Sequence, residues 1–164
     1  MFSKQSNSLL RLSLIIFLSI ANPVSTSAQS VSTSSVNEEF SQLQQVLTAY
    51  GFQVNLAIPP VRGTYGLFQV DSKQIWVNPV VFDLGIAVPT LVHESVHAAQ
   101  FCAGGDKLQL LDLALEPSPR ARPYYLRYHA YRREIEAQAY TVQTQPNRVE
   151  LTIEILHRYC RKKP

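Results

Sequence analysis

Phe40, Leu43, Leu47 and Tyr50 recur at helical spacing with polar residues between them, which places the apolar side chains on one face. Asn37 suits a helix cap, Glu38 and Glu39 suit a first turn, and Gly51 supplies a stop. The pattern predicts a helix over about Glu38–Tyr50. The period then changes to two. Phe52, Val54, Leu56 and Ile58 alternate with smaller or polar residues as a strand does, and Pro59-Pro60 ends it. Tyr65–Val70 and Gln74–Asn78 read as two more short strands, with Asp71-Ser72-Lys73 as the turn of a hairpin. Pro89 fits the first turn of the next helix, which runs to about Cys102 and stops at Gly104-Gly105. Asp106–Glu116 reads as a short amphipathic helix with leucines on one side. Pro117, Pro119 and Pro123 then impose a loop around Arg120 and Arg122. Helical spacing resumes over Tyr124–Thr144, where Tyr124, Tyr128, Tyr131, Ile135, Ala139 and Val142 form a stripe whose simplest reading is core. A last helix follows Pro146-Asn147. Asn147 and Glu150 have capping-box spacing, and Val149, Ile153, Leu156 and Cys160 make its apolar face. Strands and helices are segregated along the chain, so the class is α+β: an N-terminal helix, a short antiparallel sheet of about three strands, then helices.

The 164 residues suffice for one domain. The start of the chain stands apart from it. Lys4 and Arg11 lie in a polar, positive region, Leu12–Ile20 is a short apolar run, and Thr26-Ser27-Ala28 offers small residues for cleavage. This is the layout of a secretory signal peptide over 1–28. The apolar run is too short for a membrane anchor, which needs about 20 residues. The expectation is a secreted or periplasmic protein with no stable membrane insertion. A Ser-rich lead-in over 29–36 and a single domain over 37–164 follow.

Loss of Lys4 and Arg11 lowers the formal net charge from +3 to +1. A near-neutral chain gives no support for general binding to nucleic acid. The remaining basic residues crowd the last third, from Arg120 to the Arg161-Lys162-Lys163 tail, and read as a largely solvated face. Cys102 and Cys160 are the two cysteines, and an exported chain with an even pair predicts a disulfide. It would tie the end of one helix to the last helix and stabilise the fold by roughly 3–5 kcal/mol.

Chemistry enters with His93-Glu94-Ser95-Val96-His97, an H-E-x-x-H pentapeptide within the helix that opens at Pro89. Residues four apart share a helix face, so two imidazoles can hold one Zn²⁺ ion, while Glu94 stands where a carboxylate can take a proton from water. A catalytic zinc site usually takes a third protein ligand. Glu134 and Glu136 are the candidates. Glu134 shares a side of its helix with Ala130, Ala137 and Thr141, small residues that would let two helices approach closely, and it is preferred on that ground. Glu136, on the bulkier side with His129, Arg132 and Tyr140, is the alternative.

With these residues the chain resembles the zincin metallopeptidases, specifically the gluzincin branch, in which a glutamate on a later helix completes the site, often as E-x-x-A followed by Asp or Asn. Glu134-Ile135-Glu136-Ala137-Gln138 fits that pattern with Gln138 in the last place, and Glu136-Ala137-Gln138-Ala139 also contains E-x-x-A. The resemblance covers about Tyr65–Thr141. It implies a small zincin-like domain, a single zinc ion, and a peptide or protein substrate lying along an edge strand. It also implies hydrolysis by an activated water with Glu94 as general base. His129, Tyr125 or Arg132 would help to stabilise the oxyanion. The other reading is a zincin-fold metal-binding module without peptidase activity.

Overall fold

The computed structural model describes residues 33–161, apart from 106 and 118. The expected signal peptide, the first part of the lead-in and the end of the basic tail lie outside the described residues.

The first helix, α1 (Thr33–Ala49), starts earlier than the cap at Asn37 predicts. Val36 explains the extension, because it continues the stripe of Phe40, Leu43 and Leu47 onto the same core. Three strands follow: β1 (Gln53–Leu56), β2 (Gly66–Gln69) and β3 (Gln74–Val77). β2 and β3 form the expected hairpin, antiparallel with Phe68 opposite Ile75. The sheet as a whole is not antiparallel. β1 joins the other edge of β3 and runs parallel to it, in the order β1-β3-β2. The long link after β1 carries the chain across to the far edge, so the hairpin returns β3 alongside β1 in the same direction. Val54, Phe68 and Ile75 face the helices.

After a short turn of helix, α2 (Val80–Asp83), comes α3 (Ala87–Gly104), closed at Gly105, whose positive φ of 79° and N–H bond to the Phe101 carbonyl end the helix. α3 is central. Leu91, Val92, Val96, Ala98 and Ala99 point in several directions and all are buried, as expected of a helix apolar all round. It packs on α1, on the sheet, on α5 (Ala130–Gln143) and on α6 (Arg148–Cys160). Cys102 and Cys160 are disulfide-bonded as expected, joining the ends of α3 and α6. The Asn147 side chain makes no capping hydrogen bond, contrary to the capping-box spacing.

Two elements differ from the periodicity. No helix forms among the described residues of 107–117. Leu111 is buried and Leu113 and Leu115 are partly buried against the core, an alternation of period two that suits extended chain. The long helix over Tyr124–Thr144 is broken. α4 (Arg122–Tyr125) is a single turn, and His129 is extended before α5 begins. Ile135, Ala139 and Val142 are core, but Tyr124 and Tyr131 are exposed. The break lets Tyr124 turn back and stack on Tyr140, ring centres 5.5 Å apart. No helix among the described residues is long and apolar enough to cross a membrane.

Candidate metal centre

His93 and His97 leave α3 on the side that meets α5. Glu136 faces them from α5. Its Oε2 lies 3.2 Å from His93 Nε2 and 3.6 Å from His97 Nε2, and the two Nε2 atoms are 3.1 Å apart. Donors about 2.0–2.2 Å from a tetrahedral ion stand about 3.3–3.6 Å from one another. The three atoms therefore already have nearly the spacing of three corners of such a shell.

Glu136 thus corrects the preference for Glu134, which is exposed on α5 away from the imidazoles. Small residues do allow close approach on that side of α5, but to the α4 turn rather than to α3. Ala137 receives the α4 turn, packing with Ala121 and Tyr125. The face toward α3 carries Ile135, Glu136 and Ala139.

The outer ring nitrogens decide the chemistry. His97 Nδ1 is 2.7 Å from Gln100 Oε1. The Gln100 amide cannot be reversed, because its Nε2 donates to the Ile135 carbonyl at 3.0 Å, an acceptor only. His97 Nδ1 must therefore carry the hydrogen, and its Nε2 presents a lone pair. His93 Nδ1 lies 3.1 Å from Gln143 Oε1, an acceptor that suits the same tautomer. Two imidazole lone pairs and a carboxylate oxygen then converge on one buried point. Three acceptors without a donor repel unless a cation lies among them. A shared proton meets part of that demand. Burial alone would push the Glu136 carboxyl up, but the hydrogen-bonded His93 and then His97 hold it well below the usual range. Burial lowers His97, and Glu136 followed by the charge of Glu94 raises it above its ordinary value. A metal ion at the shared point would take the place of that proton. The His-His-Glu group could hold such an ion, its three ligand atoms lying within 4.8 Å of one another.

The glutamines continue as a chain. Gln100 Nε2 also donates to Gln138 Oε1, which accepts from the Leu111 N–H at 3.0 Å, while Gln138 Nε2 donates to the Leu111 carbonyl at 2.7 Å. Gln138 thus pairs with one peptide unit as a neighbouring strand would. This satisfies backbone groups of the 107–117 segment and fixes the segment over the helices.

Glu94 is buried beside β2. A Cβ on Gly66 would stand 2.5 Å from Glu94 Oε1 and 2.8 Å from Thr90 Cγ2, so glycine is what lets the strand approach the helix here. These groups line a cleft of about 680 Å³, together with Tyr65, Tyr124, Tyr140 and Arg132. Tyr140 also packs edge-on against His93, ring centres 4.5 Å apart.

The chain matches no protein-family model, no curated protein and no solved structure. Geometry is what bears on its function. It brings together His93, Glu94, His97 and Glu136. Of the oxyanion candidates, Arg132 lines the cleft, its Nε 3.5 Å from Glu136 Oε1. Tyr125 is buried in the small cluster under α4, and His129 is exposed ahead of α5. Gln100, Gln143 and Tyr140 contact the two histidines and are positions that the motif did not reveal. Gln100 had a readable signal, since it lies three residues beyond His97 on the same face of the helix, within the apolar stretch that follows the motif.

Proposed function

We propose that the protein is an exported zinc-dependent metallopeptidase of gluzincin-like design. The observation that carries this reading is the convergence of His93 Nε2, His97 Nε2 and Glu136 Oε2, with both Nδ1 atoms held by glutamine oxygens. Two nitrogens and one oxygen, buried and oriented from outside, suit Zn²⁺ with a position left open. Bound there, zinc would supply a Lewis acid that polarises a carbonyl and makes water more acidic.

The chain's own residues account for the rest. Glu94 accepts the proton of the attacking water on its carboxylate and passes it to the leaving amine. Its position against Gly66 keeps it at the cleft surface nearest β2. β2 pairs with β3 alone among the described strands, so its other edge can take up an extended peptide in register. Arg132 is placed to support negative charge that develops on the carbonyl oxygen. The disulfide fits an exported protein.

The purified protein should carry one zinc ion per chain and hydrolyse peptides. Glu94→Gln should slow hydrolysis by about 10²–10⁴-fold while zinc content stays the same. Absence of stoichiometric zinc would sink the proposal. Zinc without hydrolysis by the unaltered protein would leave a metal-binding module instead.

A further inference from the structure

One wall of the cleft has a chemistry that hydrolysis alone does not call for. Arg120, Arg127 and Arg132 all line it. The guanidiniums of Arg127 and Arg132 each lie 5.6 Å from the centre of the same Tyr128 ring. A ring face compensates part of the charge of a cation. The acids available are few. Glu94 and Glu136 are the carboxylates lining the cleft, and both are committed to the metal centre. Arg132 touches Glu136 through the oxygen that does not face the histidines. Among the described residues, no ion pair to an acid involves Arg120 or Arg127. Arg127 bonds the Tyr140 and Tyr128 side chains, so the wall holds two planar cationic forks, Arg120 and Arg127, with no acid in an ion pair with them among the described residues.

We propose that this wall binds a carboxylate of the peptide substrate, so that the enzyme selects peptides bearing an acidic side chain or a free C-terminus next to the cleaved bond. This rests on the peptidase reading, whose site it shares. A guanidinium fork matches a carboxylate with two parallel hydrogen bonds. The wall is too short for a polyanion, since Arg120 and Arg127 in a cleft of about 680 Å³ suit one small anionic group. The near-neutral charge expected of the exported chain removes the long-range attraction that nucleic acid would need.

The test measures binding apart from turnover. The Glu94→Gln protein is titrated against four fluorescent hexapeptides by anisotropy, with zinc content determined on each sample. The peptides are alanine-rich or aspartate-bearing, each with a free or an amidated C-terminus. Peptides carrying a carboxylate should bind at least about tenfold more tightly than the neutral amidated one, with the gain shrinking as salt is added. Adding Arg120→Gln and Arg127→Gln together should cancel the gain. Arg161→Gln, outside the cleft, should leave it intact. A gain that follows the free terminus assigns the wall to chain ends, and one that follows aspartate assigns it to side chains; either supports the proposal. Equal affinity for all four peptides overturns it, as does a gain that survives the double arginine substitution. The two readings fail separately. Carboxylate preference in a protein that takes up no zinc breaks the peptidase reading alone. Zinc-dependent cleavage with no carboxylate preference breaks this one alone.

Discussion

Helix α3 meets α6 on one side and α5 on another, and the two contacts are built from different materials. Toward α6 the buried residues are Ile155, Leu156 and Val149, with a disulfide at the far end. Thr152, the buried polar group there, bonds its hydroxyl to the Arg148 carbonyl within its own helix. Toward α5, Ile135, Ala139 and Val142 are joined by His93, His97, Gln100, Glu136 and Gln138, bonded to one another across the interface. The hydrophobic effect is non-directional, whereas a buried polar network is satisfied only when each donor meets its acceptor. The α6 side supplies stability, and the α5 side supplies position.

That division can be broken in three ways. The largest effect belongs to Glu136. Glu136→Gln should weaken zinc binding by more than about a hundredfold, because each donor carries a share of roughly 10–16 kcal/mol. Glu134→Gln should leave it unchanged. Competition with a chromophoric chelator measures both, and equal losses would undo the choice of ligand. Next comes the disulfide. Replacing Cys102 and Cys160 with serine should cost roughly 3–5 kcal/mol of stability, read from the denaturant midpoint. Zinc affinity of the folded protein should be retained, and a parallel loss would mean that the α6 side also positions the site. Third is Gln100→Leu, which keeps the volume but removes the partner of His97 Nδ1. It should cost about 1–3 kcal/mol of stability and weaken zinc binding about 10–100-fold. Unchanged affinity would show that packing alone orients His97.

The same division explains what could be read from the chain. Elements carried by a local apolar pattern were legible. The stripe of Phe40, Leu43 and Leu47, the hairpin around Lys73 and the apolar run of α3 all return in the structure, although α1 begins at Thr33 rather than near Glu38. The two histidines were legible because their spacing is local, and the disulfide because two cysteines leave one pairing. What failed depends on partners distant in sequence. Residues 107–117 have the leucine content of a helix, but the Gln138 amide stabilises an extended backbone there. The choice between Glu134 and Glu136 turns on which side of α5 meets α3, and that is set by α4 occupying the Ala137 side. The tyrosine stripe reads as core until His129 breaks the helix and returns Tyr124 to the cleft.

The glutamine relay carries a thermodynamic obligation. It begins at His97 Nδ1 and ends on the Leu111 peptide, in a segment with no regular secondary structure of its own. If occupation of the imidazoles favours the bonded state of this relay, linkage requires the reverse: holding the segment down must tighten the grip on the ion by the same free energy. The exchange of the Leu111 amide hydrogen with solvent should then slow when metal is added.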